Sequence, residues 1–238
     1  MIDFIIEARG LVKHYGANPA LAGFDLLVPR GSLYGLVGPN GAGKTTTIHI
    51  LCGLTRPNGG TARVAGHELN EMTRIRQAVG VTLEEHPLYE NLTAPEYLRF
   101  VGEIKGLSDD EARQEAARLL ETVQLGAGPR ALINSFSKGM KQKVAIASAF
   151  VGQPTLVILD EPFIGIDPLG VHAVKDLLTS YVAGGGTVLF SSHILDVVER
   201  LCDSVTIIQA GRAVTAGSVA HLTAGGRTLE DVFLAAMV

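Results

Sequence analysis

Short unbroken apolar runs alternate along this chain with longer stretches whose apolar residues recur every three or four positions. "LYGLVG" (33–38), "TLVILD" (155–160), "GTVLFSS" (186–192) and "SVTIIQAG" (204–211) are of the first kind, as expected of strands buried on both faces of a parallel sheet. "KTTTIHILCGL", "DPLGVHAVKDLLTSYV" (167–182) and "HILDVVERL" (193–201) read as helices between them. Asp167 suits the N-cap of the second, with Pro168 in its first turn, and His193 begins the third. Strand–helix alternation predicts an α/β fold with a mostly parallel sheet. Antiparallel strands are expected near the N-terminus, in "IIEARGLVKHYG" and "AGFDLLVPRG". Positions 91–136 show no strand pattern. "TAPEYLRFVGEIKG" and "SDDEARQEAARLLETVQLG" read as helices, the latter with a Ser108/Glu111 capping box and a stop at Gly126. The expectation is one domain spanning 1–238, with a helical lobe (91–136) inserted into an α/β core made of 1–90 and 137–238. After Gly211 a small strand and an amphipathic helix capped by Thr228, "TLEDVFLAAMV", complete the pattern.

Composition narrows the class. With 238 residues, 47% of them apolar, the chain has ample material for a core. A net charge of −4 argues against wrapping nucleic acid by bulk electrostatics, and no nucleic-acid partner is expected. Cys52 and Cys202 stand apart in apolar helical patterns without metal-ligand spacing, which points to reduced thiols in a cytosolic protein. The start, "MIDFIIEARG", is acidic and lacks the layout of a signal peptide. No apolar run approaches the ~20 residues needed to cross a bilayer, so any membrane role is expected to come through a partner.

Two stretches carry candidate chemistry for phosphate. Gly38–Thr45 reads G-P-N-G-A-G-K-T, a P-loop after a predicted strand and opening a predicted helix. Gly38, Asn40, Gly41 and Gly43 let backbone amides close on phosphate oxygens, Lys44 adds positive charge, and Thr45 can ligate Mg²⁺. In "TLVILDEP", Asp160 ends a buried strand, where ligands of such sheets sit, and Glu161 follows, placed to orient or deprotonate a water. Asp160 is the natural holder of the metal's hydration shell. "SFSKGMKQK" (135–143) is a second helix start suited to an anion, although standing alone it reads better as a capped helix with basic surface residues. His193 comes just after the strand "TVLFSS", at the start of a helix; on spacing it stands level between a phosphate-facing residue and an ordinary surface histidine.

In combination these residues resemble the ATP-binding cassette (ABC) ATPases, over essentially the whole chain. The resemblance rests on the P-loop, "FSKGM" in place of the LSGGQ signature, "LVILDEP", "IGIDP" as the D-loop and "SSH" as the H-loop. It implies ATP and Mg²⁺ as cofactors. Tyr15 falls where an aromatic ring stacks on adenine, its alternative being a core or hairpin tyrosine. Lys44, Thr45 and Thr46 fall at the phosphates and metal, Glu84 at the Q-loop position beside the metal, Asp160 at the metal, and Glu161 at the catalytic carboxylate. Asp167 falls in the D-loop and His193 at the switch histidine. The family works as head-to-tail pairs of cassettes, which would explain two anion-binding helix starts: Ser137 and Gly139 of one chain face the ATP on the other chain's P-loop. Departures are Glu84 for the usual Gln, Lys138 and Met140 in the signature, and Ile164 in the D-loop.

The sequence therefore reads as the ATP-hydrolysing, energy-coupling subunit of a membrane transporter, on the inner face of the cell membrane through a polytopic permease. The wording "SKGMKQK" and the tail "TLEDVFL" favour cassettes of drug, lipid or polysaccharide exporters. The runner-up is a non-transport cassette acting on ribosomes, though such regulators usually carry two cassettes in one chain. A GTPase would want an N-K-x-D guanine reader, which is missing. A chromosome-type ATPase would part the P-loop from "LDEP" with a long coiled coil, and no sustained heptads lie between them.

Overall fold

The computed structural model describes residues 3–85, 87–126 and 130–237. The chain opens with a long antiparallel hairpin, β1 (Phe4–Tyr15) and β2 (Asn18–Pro29), closed through Gly16 at φ 61°. β3 (Leu33–Val37) then runs into α1 (Lys44–Leu51). β4 (Gly59–Val64), β5 (His67–Glu68), α2 (Met72–Ala78) and β6 (Val79–Thr82) follow. Next come α3 (Ala94–Ile104), α4 (Asp109–Thr122), a 3-10 turn (Ile133–Ser135) and α5 (Lys138–Phe150). The remainder is β7 (Leu156–Leu159), α6 (Pro168–Ala183), β8 (Thr187–Ser192), α7 (Leu195–Leu201), β9 (Ser204–Gln209), β10 (Arg212–Ser218), α8 (Val219–Leu222) and α9 (Leu229–Ala236).

Among the described residues these strands make two sheets. The N-terminal one is antiparallel, in the order β2-β1-β4-β5; the other runs β10-β9-β3-β8-β7-β6, parallel except for β10 against β9. β3, β7 and β8 are buried along their whole length, as expected for parallel strands covered on both sides. Their side chains divide with a period of two. Leu33, Val37, Val157, Leu159, Val188 and Phe190 join helices α3 to α7 in one core cluster. Tyr34, Leu36, Leu156, Ile158 and Leu189 join α1 and the antiparallel sheet in another. The expected α/β architecture is thus present.

The segments between Leu54 and Thr82 carry no strong periodic signal, being short strands and a seven-residue helix. Their placement depends on pairing with β1 and β7. Helix bounds also shift: α7 starts at Leu195 rather than His193. Ser108 caps α4 in a capping box with Glu111, and Thr93 caps α3 in the same way with Glu96, a pattern legible in "TAPE". Both cysteines are buried and unpaired; burial pushes the Cys52 thiol up to about 12. No helix of the described residues is long and apolar enough to cross a membrane.

α5 lies directly on β6, because Gly80 offers no side chain there. A Cβ at Gly80 would stand 1.7 Å from the Ala149 carbonyl oxygen. Gly80→Ala is expected to force α5 away and to destabilise the fold by about 3 kcal/mol or more. Thermal denaturation should show melting lowered by roughly 6–12 °C; an unchanged midpoint would mean that the helix does not pack this closely.

Candidate functional site

The ladder order brings four loops to one edge. β3, β8, β7 and β6 are successive parallel neighbours. All four therefore end on the same side, where ligands of such sheets bind. Gly38–Gly43 leave β3, Asp160 and Glu161 leave β7, His193 leaves β8, and Glu84 lies just past β6. A cavity of about 440 Å³ opens there. Its lining includes Tyr15, Asn40, Gly41, Gly43, Lys44, Thr45, Thr46, Glu84, Glu161 and His193.

The P-loop turns sharply into α1. Gly43 sits at φ 112°, and a Cβ there would meet the Ala20 carbonyl oxygen at 2.7 Å, so glycine is required on both counts. Lys44 is buried and folds back over its own loop. Its Nζ donates to the carbonyl oxygens of Gly38 at 2.7 Å and Pro39 at 3.3 Å, and lies 3.4 Å from Glu161 Oε1. Glu161 Oε2 is in turn 3.0 Å from His193 Nδ1. Lys44, Glu161 and His193 thus form a connected line of polar groups across the cavity. Only the His193 end is well exposed; Lys44 and Glu161 are each buried. His193 lies in the β8–α7 loop and not on a helix, where the Ile194 amide donates to Ser192 Oγ at 3.0 Å. That loop position lets its ring reach Glu161.

Asp160 is fully buried beneath this line. Ser191 Oγ donates to its Oδ1 at 2.5 Å, whereas Oδ2 is buried with no hydrogen-bond partner among the described residues. Ser191 also accepts from the Glu161 amide at 2.9 Å. Glu161 holds φ at 48°, left-handed and unusual for a residue with a side chain. In the sequence Ser191 stands only as the first residue of "SSH", with nothing beside it that points to a role. The signal was weak, because the bond spans two strands that are neighbours only in the folded sheet.

Tyr15 ends β1 on the rim, about half exposed, with Lys13 Nζ 5.2 Å from its ring centroid. It is a hairpin tyrosine outside both core clusters. Ser137 and Gly139 lie apart from the cavity lining. Ser137 caps α5, its Oγ accepting from the Met140 amide at 3.2 Å. A Cβ at Gly139 would meet the Gly165 carbonyl oxygen at 2.6 Å, so the first turn of α5 rests on the 164–166 backbone. Farther along α5, Gln142 donates to the Pro162 carbonyl and Lys143 pairs with Asp167 at 3.2 Å. Asp167 stands at the N-cap of α6 with no side-chain cap bond; the bond from Lys143 holds its carboxyl below the usual range.

A glycine-rich loop between a parallel strand and a helix, flanked by a buried pair of strand-end acids, defines a P-loop nucleoside triphosphatase. Residues 21–164 match the family described as ABC transporter. The chain belongs to that family, as an ATP-binding and ATP-hydrolysing cassette. It is 41% identical over 218 residues to the daunorubicin/doxorubicin resistance ATP-binding protein DrrA of Streptomyces peucetius, covering 91% of this chain and 66% of that one. It is 37% identical over 214 residues to Nod factor export ATP-binding protein I of Cupriavidus pinatubonensis (strain JMP 134 / LMG 1197), covering 90% and 66%. The chain therefore spans about two thirds of the length of these curated relatives. A solved ATP-binding subunit of an ABC transporter superposes with a TM-score of 0.91 at 35% identity, over 98% of this chain and 100% of that one.

Glu161 places negative charge beside Lys44 in the cavity that the P-loop lines. Glu161→Gln frees the ammonium from that pair and removes repulsion of phosphate. ATP is expected to bind the variant at least about threefold more tightly than wild type. Titration with a fluorescent ATP analogue checks this, and equal or weaker binding would mean that the pair does not compete with nucleotide.

Proposed function

We propose that this chain is the energy-coupling ATPase subunit of a membrane exporter, working as a head-to-tail pair of cassettes against a polytopic permease. The observation that carries the reading is the single sheet edge on which the P-loop, the acid pair and His193 meet. Export rather than import is supported by the printed names of the relatives, one for drug resistance and one for export. It is supported also by the tail and the signature wording. The cassette would act at the cytoplasmic face of the membrane. Segment 91–136 would move as a helical lobe on the core and pass the motion to the permease near Glu84.

Within this reading Tyr15 stacks on adenine. Gly38, Asn40, Gly41 and Gly43 present amides to the phosphates, and Lys44 leaves its loop carbonyls for them. The donor set suits Mg²⁺: Asp160 keeps a buried carboxylate oxygen without a partner, Thr45 adds a hydroxyl, and hard oxygen ligands are what that ion takes. Thr45 and Asp160 would hold it; Thr45, Thr46 and Glu84 line the cavity, and Asp160 is fully buried. Bound there, Mg²⁺ neutralises charge on the phosphate oxygens. Glu161 orients and deprotonates the attacking water. His193 holds the Glu161 carboxylate by the Nδ1 contact and turns its ring toward the terminal phosphate.

Ser137 and Gly139 would complete the partner chain's site. Two features support this: neither residue lines its own chain's cavity, and Ser137 is exposed at the start of a 13-residue helix. A helix start of this kind favours anions.

Tyr15→Ala is expected to raise KM for ATP roughly tenfold, with a smaller change in kcat, since base–aromatic stacking is worth ~1–3 kcal/mol. Steady-state kinetics decide this, and an unchanged KM returns Tyr15 to the hairpin alone.

The paired-cassette reading is tested by mixing variants. Lys44→Ala disables a P-loop. Ser137→Asp keeps a good N-cap for α5 while setting a carboxylate against phosphate. Each variant alone should lose nearly all ATPase activity. Mixed one to one, the Ser137→Asp chain supplies a sound P-loop and the Lys44→Ala chain a sound signature. Mixed pairs should then recover about half of wild-type turnover per pair if the two sites act independently. Differently tagged chains allow ATP-dependent pull-down of mixed pairs alongside phosphate release. Folded chains giving neither signal would sink the shared site.

A further inference from the structure

We infer that Ser191 is a positioning residue for the acid pair, fixing at once the metal-facing oxygen of Asp160 and the backbone of Glu161. The inference rests on the reading of those two acids given above. A hydroxyl has one proton to donate and lone pairs to accept with. Ser191 uses both, donating to Asp160 Oδ1 at 2.5 Å and accepting from the Glu161 amide at 2.9 Å. The first length is typical of a hydroxyl held by a carboxylate.

Two consequences follow from the geometry. Asp160 cannot spin freely: with Oδ1 engaged, Oδ2 is the oxygen left bare in a fully buried position. Ser191 therefore chooses which carboxylate oxygen is offered to a cation. Its second bond falls on the amide of the residue at φ 48°. That bond helps to keep a non-glycine residue left-handed, and the turn aims the Glu161 side chain at Lys44 and His193. Ser191 is itself buried, next to last in β8, and two residues later the loop that leaves the strand delivers His193. One strand end thus supplies the brace for the acids and leads straight into the histidine that contacts Glu161. Outer-shell hydroxyls of this kind orient metal ligands, and their loss commonly weakens metal binding or activity 10- to 100-fold.

Ser191→Ala, Ser191→Thr and wild type should be compared as full chains in three measurements: thermal melting, Mn²⁺ binding with a non-hydrolysable ATP analogue followed by electron paramagnetic resonance, and ATPase kinetics. Ser191→Ala leaves the buried Asp160 carboxylate without its hydrogen bond and is expected to stay folded while melting roughly 3–10 °C below wild type. It should bind Mn²⁺ roughly tenfold more weakly and lose about tenfold in kcat, with KM for ATP nearly constant. Ser191→Thr, which keeps the hydroxyl, should restore both to within about threefold. Should Ser191→Ala fail to fold, Ser191→Cys keeps the volume with a weaker donor and is expected to shift in the same direction. Mn²⁺ affinity and kcat within twofold of wild type in a folded Ala or Cys variant would overturn the inference. So would a Thr variant as impaired as Ala. Mn²⁺ binding judges Ser191 even without turnover, whereas a wild-type chain that fails to hydrolyse ATP counts against the ATPase roles of Glu161 and His193 and leaves the brace to be decided by the metal titration.

Discussion

The parallel pairing of β3 with β8, and of β8 with β7, is the constraint on which everything else rests. The P-loop, the acid pair and His193 are far apart in sequence. Gly38, Glu161 and His193 become neighbours only because three strands run the same way in that order, so that their carboxyl ends coincide. Such a ladder requires crossovers, which here are α1 with the antiparallel excursion, the α3–α5 helices and α6. Burial on both faces holds the register, since a slip by one residue would exchange the side chains of the two core clusters.

A second level of organisation joins α5 to the segment after the acids. Gly139 rests on the Gly165 backbone, Gln142 holds the Pro162 carbonyl, and Lys143 pairs with Asp167. A displacement of the first turn of α5 must therefore disturb residues 162–167, which follow Glu161 directly. The helix start that would meet a partner's nucleotide is wired by three contacts to this chain's own acid turn. Ile164, which lines the cavity, sits in the middle of that segment. Its bulk makes the segment part of the cavity wall.

Strong local patterns were legible from the residues alone. The buried strands, the P-loop turn, the capped α4 and the strand-end acids each carry their reason within a few consecutive positions. Roles that depend on pairing were not. β4 to β6 are short and take their place from neighbours remote in sequence. The Ser191 bonds join positions about thirty residues apart across two strands. Asp167 takes the N-cap position of α6 that its place in the sequence suggests, yet its carboxylate pairs with Lys143, a buried residue of α5, and makes no cap bond. His193 looked like a helix start because apolar spacing continues behind it; the turn through Ser192 delays the helix to Leu195.

Lys44 gives the P-loop a threshold. Its ammonium already has two carbonyl oxygens and a carboxylate around it. A ligand must replace that whole coordination before it gains anything from the charge. A chain of phosphates can satisfy the ammonium and the loop amides together. The resting loop thus sets a cost that an incoming anion meets ahead of any contact with the base.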